Sequence, residues 1–439
     1  MLLNRRHSAS ILSFVSLCLV WKLRFQSYYT FNLELRPHSF DPLKPPPTDV
    51  FDYGPVESEA IAAVCAKTEW NPNLVFTCPH PFGGIGNQKN SILICLRQAI
   101  ATGGSLVVPQ IVLRREDDPS ECISDNRSSL SFMFDTQHFV DSLRLSCPGL
   151  TLHNLVEDIP HYENATQPSM PNSIMPESYG LEGLPFPHDL TEPQTWPEQF
   201  FARLAQNNLT MSSEAPLIIE LGRHYMSYPV HSDNQDFVES FGSILKFRSD
   251  VRRLATKALV CLSRNYSIPM NFSAPFQENA FVGVHLRTEY DARMVWGGWE
   301  YGRYEAQFNA SLEHVLSTNL SLIYLTSGDM DEAAKYANDM SRYNLTVITK
   351  HDLLNQEELE ELLALKWDQQ ALVDFLVMLE TSSFGGVGHS SFSWSIALKR
   401  HLFAKKRDHY EAPEMLVDEL SQIRSDPSMS FDYEAAFWP

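Results

Sequence analysis

Four side chains capable of acid, base or anion-binding chemistry fall within seven residues, directly behind an apolar run: His285, Arg287, Glu289 and Asp291. The run FVGVHL predicts a buried strand, and Arg287 follows its last apolar residue. A guanidinium at that point can bind a phosphate through two hydrogen bonds and stabilise negative charge on a leaving group. Glu289 and Asp291 alternate with Arg287 along an extended trace, so we expect one carboxylate to orient Arg287 and one to contact the substrate. The alternative is an ion pair that only fastens the loop.

Two glycine-rich segments each lie between a predicted strand and a predicted helix. The first is GGIGNQ, residues 83–88, and the second is FGGVGHSSFSWS, residues 384–395. Glycines let the backbone approach a phosphate or a sugar, and a helix N-terminus favours negative charge. The first segment has neither the spacing of a dinucleotide fingerprint nor the Gly-Lys-Ser/Thr of an NTPase loop. Each has a structural alternative: a glycine turn needed for packing, or a helix cap from Ser390 or Ser391.

Two further signals are weaker. Asp329-Met330-Asp331 has the form of a metal-nucleotide motif, but such a triplet is expected by chance among 54 acidic residues. His389 and Ser390 are adjacent, a spacing that rarely forms a nucleophilic pair, and no G-x-S-x-G elbow is present. With no C-x-x-C and no zinc-type histidine spacing, the sequence predicts no metal site. The missing nucleophile geometry argues against a secreted hydrolase.

The elements that must position these residues alternate between apolar strands and amphipathic helices. Strands are predicted at LVFTC, SLVVP and APLIIELG before residue 225, with a helix after the first. Later predictions are strands at 281–286, 322–326, 345–349 and 384–389, and helices from Ser249, at 304–318, from Met330, at 368–380 and at 391–402. Residues 117–196 are predicted to be loop-rich insertions. The pattern predicts an α/β fold with parallel sheets covered on both faces, in which ligands bind at the carboxyl ends of strands.

Length and charge limit the class of function. At 439 residues and 44% apolar composition, the chain is expected to form two domains, residues 72–250 and 251–425, followed by a tail at 426–439. A net charge of −20 opposes general attraction to nucleic acid or to an anionic membrane surface. An anionic ligand would therefore need local donors.

The N-terminal residues are typical of a signal anchor. Basic residues at 5–6 and at Lys22 and Arg24 flank the apolar run ILSFVSLCLVW, which lacks a small-x-small cleavage site. The sequence predicts a cytosolic tail at 1–9, an uncleaved anchor at 10–22 and a proline-rich stem at 23–71. The alternatives are a cleaved signal peptide and a buried helix.

Sequons and cysteines favour a lumenal body for this chain. Eight N-x-S/T sequons are candidate glycosylation sites: Asn126, Asn164, Asn208, Asn265, Asn271, Asn309, Asn319 and Asn344. Cys95 and Cys261 lie in helix-like apolar patterns and are expected to be free thiols. The expected disulfide-forming residues are Cys65, Cys78, Cys122 and Cys147, whose pairing the sequence does not determine.

Three motifs in fixed order, GGIGNQ, VHLRTEYD and DFLVMLETSSFGGVGHSSFSW, resemble those of the GDP-fucose protein O-fucosyltransferase superfamily. The resemblance covers roughly residues 73–405 and implies a GT-B-like fold, two Rossmann-like domains facing a cleft, with the second domain binding the nucleotide sugar. It implies GDP-fucose as donor and no metal requirement.

The resemblance also implies roles for single residues. Arg287 would bind the β-phosphate, Asn87 the fucose or the glycosidic oxygen, and Asp291 would order the site. Residues implied to bind the donor are Gly84, Gly86, His285, Asp374, Ser390, Ser391 and Phe392. The chain departs from the family at Lys89-Asn90-Ser91, where an acidic residue is missing, so the general base is left among Glu289, Asp291 and a phosphate oxygen.

The expected reaction is inverting transfer of fucose to a hydroxyl of a protein or glycan, in a single-pass type II protein of the endoplasmic reticulum or Golgi. The alternatives are another nucleotide-sugar donor, a glycan-only acceptor, and a catalytically silent lumenal lectin or scaffold.

Overall fold

Two parallel β-sheets organise the chain, one formed by residues before 221 and the other by residues after 281. The computed structural model describes residues 46–78, 83–115, 122–167, 196–221, 228–296, 298–405, 417–425 and 436–439. The strands are β1 (Asn71–Thr77), β2 (Gly104–Val107), β3 (Gln110–Arg114), β4 (Cys122–Ser129), β5 (Leu152–His153), β6 (Leu217–Glu220), β7 (Val282–His285), β8 (Leu322–Thr326), β9 (Thr346–Ile348), β10 (Ser383–Val387) and β11 (Ser421–Arg424).

Helices alternate with the strands of these sheets along the chain. They are α1 (Glu59–Cys65), α2 (Ile85–Thr102), α3 (Thr136–Ser146), α4 (Trp196–Gln206), α5 (Gln235–Phe241), α6 (Ser249–Asn265), α7 (Tyr290–Trp296), α8 (Tyr304–Thr318), α9 (Met330–Ser341), α10 (Lys350–Leu353), α11 (Gln356–Ala364), α12 (Trp367–Leu379) and α13 (Ser391–His401). The predicted alternation of strands and helices is confirmed, most closely for α8 and β8.

Both sheets start in the middle and wind outwards in two directions. Their strand orders are β5-β2-β1-β6 and β11-β10-β7-β8-β9, and every pairing within each sheet is parallel. In such sheets a crevice opens at the carboxyl ends of the two strands where the winding direction reverses. These crossover points lie between β1 and β6 in the first sheet and between β7 and β10 in the second.

The insertion predicted at 117–196 contains regular structure that its sequence did not reveal. Strand β4 pairs with the preceding β3 in an antiparallel hairpin, α3 packs with α1, and β5 forms the edge of the first sheet. Asp135 caps α3 by accepting a hydrogen bond from the His138 amide. The hairpin matters most, because β3 presents Arg114.

Residues 46–71, predicted as part of the stem, are not a linker. The buried Arg252 guanidinium on α6 binds Asp49 and Asp52 at 2.9 and 3.0 Å, and Lys246 binds Asp52 at 3.0 Å. The Val56 amide donates to Ser142 on α3. The proline-rich composition was therefore a poor guide, because these contacts come from residues distant in sequence.

The last described residues, Ala436–Pro439, were predicted as a tail and are instead buried. Trp438 packs against Phe241, with ring centroids 4.7 Å apart. Its carbonyl oxygen accepts a hydrogen bond from the Lys89 ammonium group at 3.1 Å, while the Asn90 side chain binds the Ala436 oxygen and the Trp438 amide. The Lys-Asn pair that departs from the family pattern therefore fastens this segment onto α2.

The described residues form two disulfides, Cys65–Cys147 and Cys78–Cys95. The expectation of a free Cys95 is wrong. Cys95 lies on a buried face of α2, as expected, but it is bonded there to Cys78, the residue that follows β1. Cys261 is free, as predicted. The Cys122 side chain lies outside the described part of the structure.

The predicted anchor at 10–22 lies outside the described residues, among which no helix is long and apolar enough to cross a membrane. Seven of the eight sequon asparagines are exposed, and Asn271 is half-buried.

Candidate active site

The loops that carry the predicted chemistry meet at the crossover of the second sheet. Strand β7 ends at His285 and leads into the Arg287 loop, whereas β10 ends at Val387 and leads through three residues into α13. Since β7 and β10 are paired in register from Ser383 and Val282 onwards, their carboxyl ends lie side by side. The two loops therefore share one edge of the second sheet, at the carboxyl ends of its strands.

Arg287 forms a charged cluster with both predicted carboxylates. Its Nη1 lies 2.5 Å from Glu289 Oε2 and 3.0 Å from Asp291 Oδ1, and its Nη2 lies 2.5 Å from Asp291 Oδ2. Burial works against the charge, but Glu289 and Asp291 outweigh burial and raise the pKa of Arg287. Burial likewise opposes the ionised form of Asp291, yet Arg287 lowers the pKa of that carboxyl. Arg287 and Asp291 are therefore both charged and in close contact at neutral pH.

Gln307, on α8, holds the backbone of the arginine loop. Its Oε1 accepts from the Arg287 amide at 2.8 Å, and its Nε2 donates to the carbonyl oxygens of Arg287 and Tyr301, both at 2.8 Å. Because both ends of this buried side-chain amide bind the backbone of Arg287, Gln307 fixes the direction in which the Arg287 side chain leaves the backbone.

Two buried histidines beside Arg287 are neutral. Burial, with a further contribution from the Arg287 charge, lowers the pKa of His285 to about 3, and the same two causes lower the pKa of His389 to about 3. His285 Nδ1 lies 2.8 Å from Ser393 Oγ, which also accepts from the Val387 amide. With Ser393 engaged at Nδ1, the structure holds the His285 ring in one orientation.

The start of α13 is brought against the start of α2. A Cβ on Gly86 would lie 2.4 Å from the Ser391 carbonyl oxygen, so only glycine permits this approach. Ser390 precedes α13 without a side-chain capping bond, and both serines are buried, while Phe392 packs on the His285 ring with centroids 4.8 Å apart. Gly86, predicted to bind the donor, thus has a packing reason to be glycine, and its donor role stays a prediction.

Asn87, on the first turn of α2, differs from its neighbours. Its side-chain Oδ1 is buried and has no hydrogen-bond partner among the described residues. The adjacent Gly83 has φ +99°, a left-handed conformation that favours glycine. Unlike Gln88, which binds Val112 at both ends of its amide, Asn87 retains an acceptor for another group.

Arg114 reaches the site from the hairpin strand β3. Its Nε donates to Asp368 Oδ1 at 2.9 Å, and its guanidinium lies over the Trp367 ring at 4.8 Å. A Cβ on Gly84 would lie 3.4 Å from Arg114 Nη2. The edge of the Trp367 ring meets Gly328, whose amide donates to Glu289 Oε1 at 2.7 Å. Contacts therefore run from the first glycine loop through Arg114 to the arginine loop.

Asp374 lies in a buried polar network on α12. It accepts a hydrogen bond from the Tyr324 hydroxyl at 2.8 Å and pairs with the Lys350 ammonium group. The predicted role of Asp374 near the nucleoside is not tested by this arrangement and stays a prediction.

The Asp329-Met330-Asp331 triplet serves to begin a helix. The Asp329 side chain accepts hydrogen bonds from the Asp331 and Glu332 amides and so caps α9. Within the described part of the chain, no group of three His, Cys, Asp or Glu side chains is arranged to hold a metal ion.

Sequence reasoning missed Arg114, Gln307, Trp367, Asp368 and Ser393. Arg114 and Asp368 are 254 positions apart, so no local spacing pairs them. A signal was available for Ser393, since it lies within the SSFS segment, whose first two serines were predicted to bind the donor.

A family model described as GDP-fucose protein O-fucosyltransferase matches residues 74–403. An α/β chain with this charged crossover loop and this match is a glycosyltransferase. It belongs to the GDP-fucose protein O-fucosyltransferase family. No curated protein matches the chain.

Similar solved structures include POFUT1 in complex with GDP, at 13% identity and a TM-score of 0.43, covering 81% of this chain and 99% of that one. Fucosyltransferase NodZ from Bradyrhizobium is 15% identical with a TM-score of 0.36, covering 75% and 92%. A mutant of Arabidopsis thaliana FUT1 in complex with GDP is 13% identical with a TM-score of 0.37, covering 78% and 71%.

Proposed function

We propose that this glycosyltransferase transfers fucose from GDP-fucose to a hydroxyl of a protein or glycan acceptor, with inversion at the anomeric carbon. The observation that carries the proposal is the Arg287 cluster at the second crossover, in a chain of this family. We further propose a GT-B-like arrangement, in which residues 251–425 bind the nucleotide sugar and residues 72–250 form the acceptor side.

In this mechanism Arg287 binds the β-phosphate and stabilises the negative charge that develops on GDP as the sugar bond breaks. Gln307 fixes the loop backbone before the reaction, so little reorganisation is needed when charge develops. Asn87 Oδ1 is available to accept a hydrogen bond from the sugar. We assign Ser390, Ser391, Phe392, Gly84 and His285 to the donor pocket.

The proton of the acceptor hydroxyl needs a base. Asp291 is a weak one, because Arg287 lowers the pKa of its carboxyl despite burial. Glu289 and a phosphate oxygen of the donor remain, and Glu289 is already bonded to Arg287 and to the Gly328 amide. When the Arg287 guanidinium turns from Glu289 to the phosphate, the released Glu289 carboxylate would supply that base.

Metal-independent action in the secretory pathway is part of the proposal. The exposed sequons and the disulfides Cys65–Cys147 and Cys78–Cys95 support a lumenal body, with residues 10–22 as a type II anchor in the endoplasmic reticulum or Golgi membrane.

The test is a thermal-shift and calorimetric panel on the full chain in excess EDTA. A ligand that binds only the folded state raises stability by RT ln(1 + [L]/Kd), so no acceptor is needed. We expect GDP and GDP-fucose, but not UDP, to stabilise the protein. A UDP preference or a strict metal requirement would overturn the donor assignment, and no response to any nucleotide would favour a silent scaffold.

A further inference from the structure

Arg287 alone is a poor match for a nucleoside diphosphate in this environment. Its guanidinium is shared between two carboxylates, Glu289 and Asp291, so the three side chains together carry one negative charge. The neighbouring His285 and His389 are neutral and add no positive charge. An anionic donor approaching the loop therefore requires a second cation.

Arg293, the next arginine along the chain, does not meet this need. It lies 3.7 Å from Asp329 and 3.6 Å from Glu332, at the start of α9. Its side chain is also half exposed to solvent, where screening weakens the effect of its charge.

Arg114 meets the need from the first sheet. Like Arg293 it is paired with a carboxylate, Asp368, but its side chain is only 11% exposed, so solvent screens its charge less. Its guanidinium lies over the Trp367 ring, and Nη2 points toward Gly84 at the start of α2. The positive charge of Arg114 also lowers the pKa of Asp291 in the arginine loop, in addition to the larger effect of Arg287. Gln88 fixes strand β3, and with it Arg114, by binding both the amide and the carbonyl of Val112.

We propose that Arg114 is the second cation of the donor site and contacts the diphosphate from the first sheet, while Arg287 contacts it from the second. This inference rests on the proposed function, because it presumes a nucleoside diphosphate at the second crossover. It makes donor binding depend on both halves of the chain, and it assigns the β3–β4 hairpin a role in the reaction.

Calorimetry of GDP and guanosine binding to the full chain tests the proposal, with Arg114→Gln compared against wild type. A charge-assisted contact to phosphate is worth about 10- to 100-fold in affinity. We expect the Kd for GDP to rise by about that factor in Arg114→Gln, with guanosine binding unchanged. The preference for GDP over guanosine should collapse.

The matched control is Arg97→Gln. Arg97 is 12% exposed, pairs with Asp233 at 2.7 Å and lies over the Tyr228 ring at 5.4 Å, so its removal breaks a similar ion pair and stacking contact. We expect this variant to keep the GDP preference of wild type. If Arg114→Gln weakens the binding of GDP and of guanosine equally, or weakens neither, Arg114 has only a structural role and the proposal is overturned.

Two outcomes separate this inference from the proposed function. A wild-type chain that prefers GDP, combined with an Arg114→Gln variant that keeps the preference, contradicts the inference alone. A wild-type chain without GDP preference contradicts both. If Arg114→Gln does not fold, Arg114→Lys decides the question: we expect a several-fold loss of GDP affinity at constant guanosine affinity, and wild-type GDP affinity would contradict the proposal.

Discussion

The two crossover points of this protein have the same topology, but the described residues at each carry different side chains. At the second, β7 delivers Arg287, Glu289 and Asp291 into one ionised cluster beside neutral histidines. At the first, β1 is followed by Cys78, which is bonded to Cys95 on α2. Strand order alone therefore identifies two possible ligand crevices, and only the side chains distinguish them.

At the first crossover, residues at the start of α2 make mostly structural contacts. Gly86 allows contact with α13, Gln88 holds β3, and Lys89 and Asn90 fasten residues 436–439. Only Asn87 in this turn keeps a buried acceptor without a partner among the described residues. Among the described residues of the first crossover, this turn thus mainly supports the fold. We propose that Asn87 offers its side-chain amide to the site, and the following predictions test that division.

The largest expected effect is on stability, from Trp438→Ala. Trp438 is buried among Phe241, Phe237 and Tyr228, and truncating a buried tryptophan costs about 3–5 kcal/mol. Denaturant unfolding measures the loss, with Tyr343→Ala, at an exposed residue, as the control. A loss below about 1 kcal/mol would show that the segment does not support α2.

Gly86→Ala should separate the two helix starts. The new Cβ would lie 2.4 Å from the Ser391 carbonyl, so we expect a loss of about 1–3 kcal/mol in the free energy of unfolding. Gly54→Ala is the matched control, because nothing lies within 4 Å of its Cβ position. Equal stability of the two variants would contradict the close contact between α2 and α13.

Asn87→Ala should show the reverse pattern. Its Oδ1 has no partner among the described residues, so stability is expected to hold, whereas loss of a contact to the sugar should lower kcat/KM about tenfold. Asn90→Ala is the control, since Asn90 binds Ala436 and Trp438 and should affect stability instead. If Asn87→Ala destabilises the fold and leaves turnover intact, the first crossover contributes nothing to the reaction.

The last prediction is a pH dependence of stability to which the second crossover contributes through His285. Burial and Arg287 lower the pKa of His285 from 6.5 to about 3, so below pH 6.5 the unfolded chain binds a proton that the folded chain does not. Stability should therefore fall as pH falls, by up to ~1.4 kcal/mol per pH unit for this group. Urea unfolding between pH 7 and 5 should show a shallower slope in His285→Gln, and an unchanged slope would contradict a neutral His285.

Much of the second half could be predicted from sequence, because strands apolar on both faces alternate there with amphipathic helices. The grouping of Arg287, Glu289 and Asp291 was predictable for the same reason, since all three follow one strand. Strand β4 was missed because its sequence, CISDNRSS, is mostly polar. Helix α3 did carry a signal, since the buried Phe139 and Leu143 lie four residues apart. Arg114 could not be predicted, because its partner Asp368 is brought close only by the assembly of both sheets.

The central claim is that the second crossover cleaves the donor. Its most direct test is GDP release from GDP-fucose by the full chain in excess EDTA, with water as the acceptor, comparing wild type with Arg287→Ala and Arg97→Ala. We expect wild type and Arg97→Ala to release GDP at similar rates, and Arg287→Ala to fall by about 10²- to 10³-fold with its melting temperature maintained. Wild-type turnover by a folded Arg287→Ala variant would contradict the account.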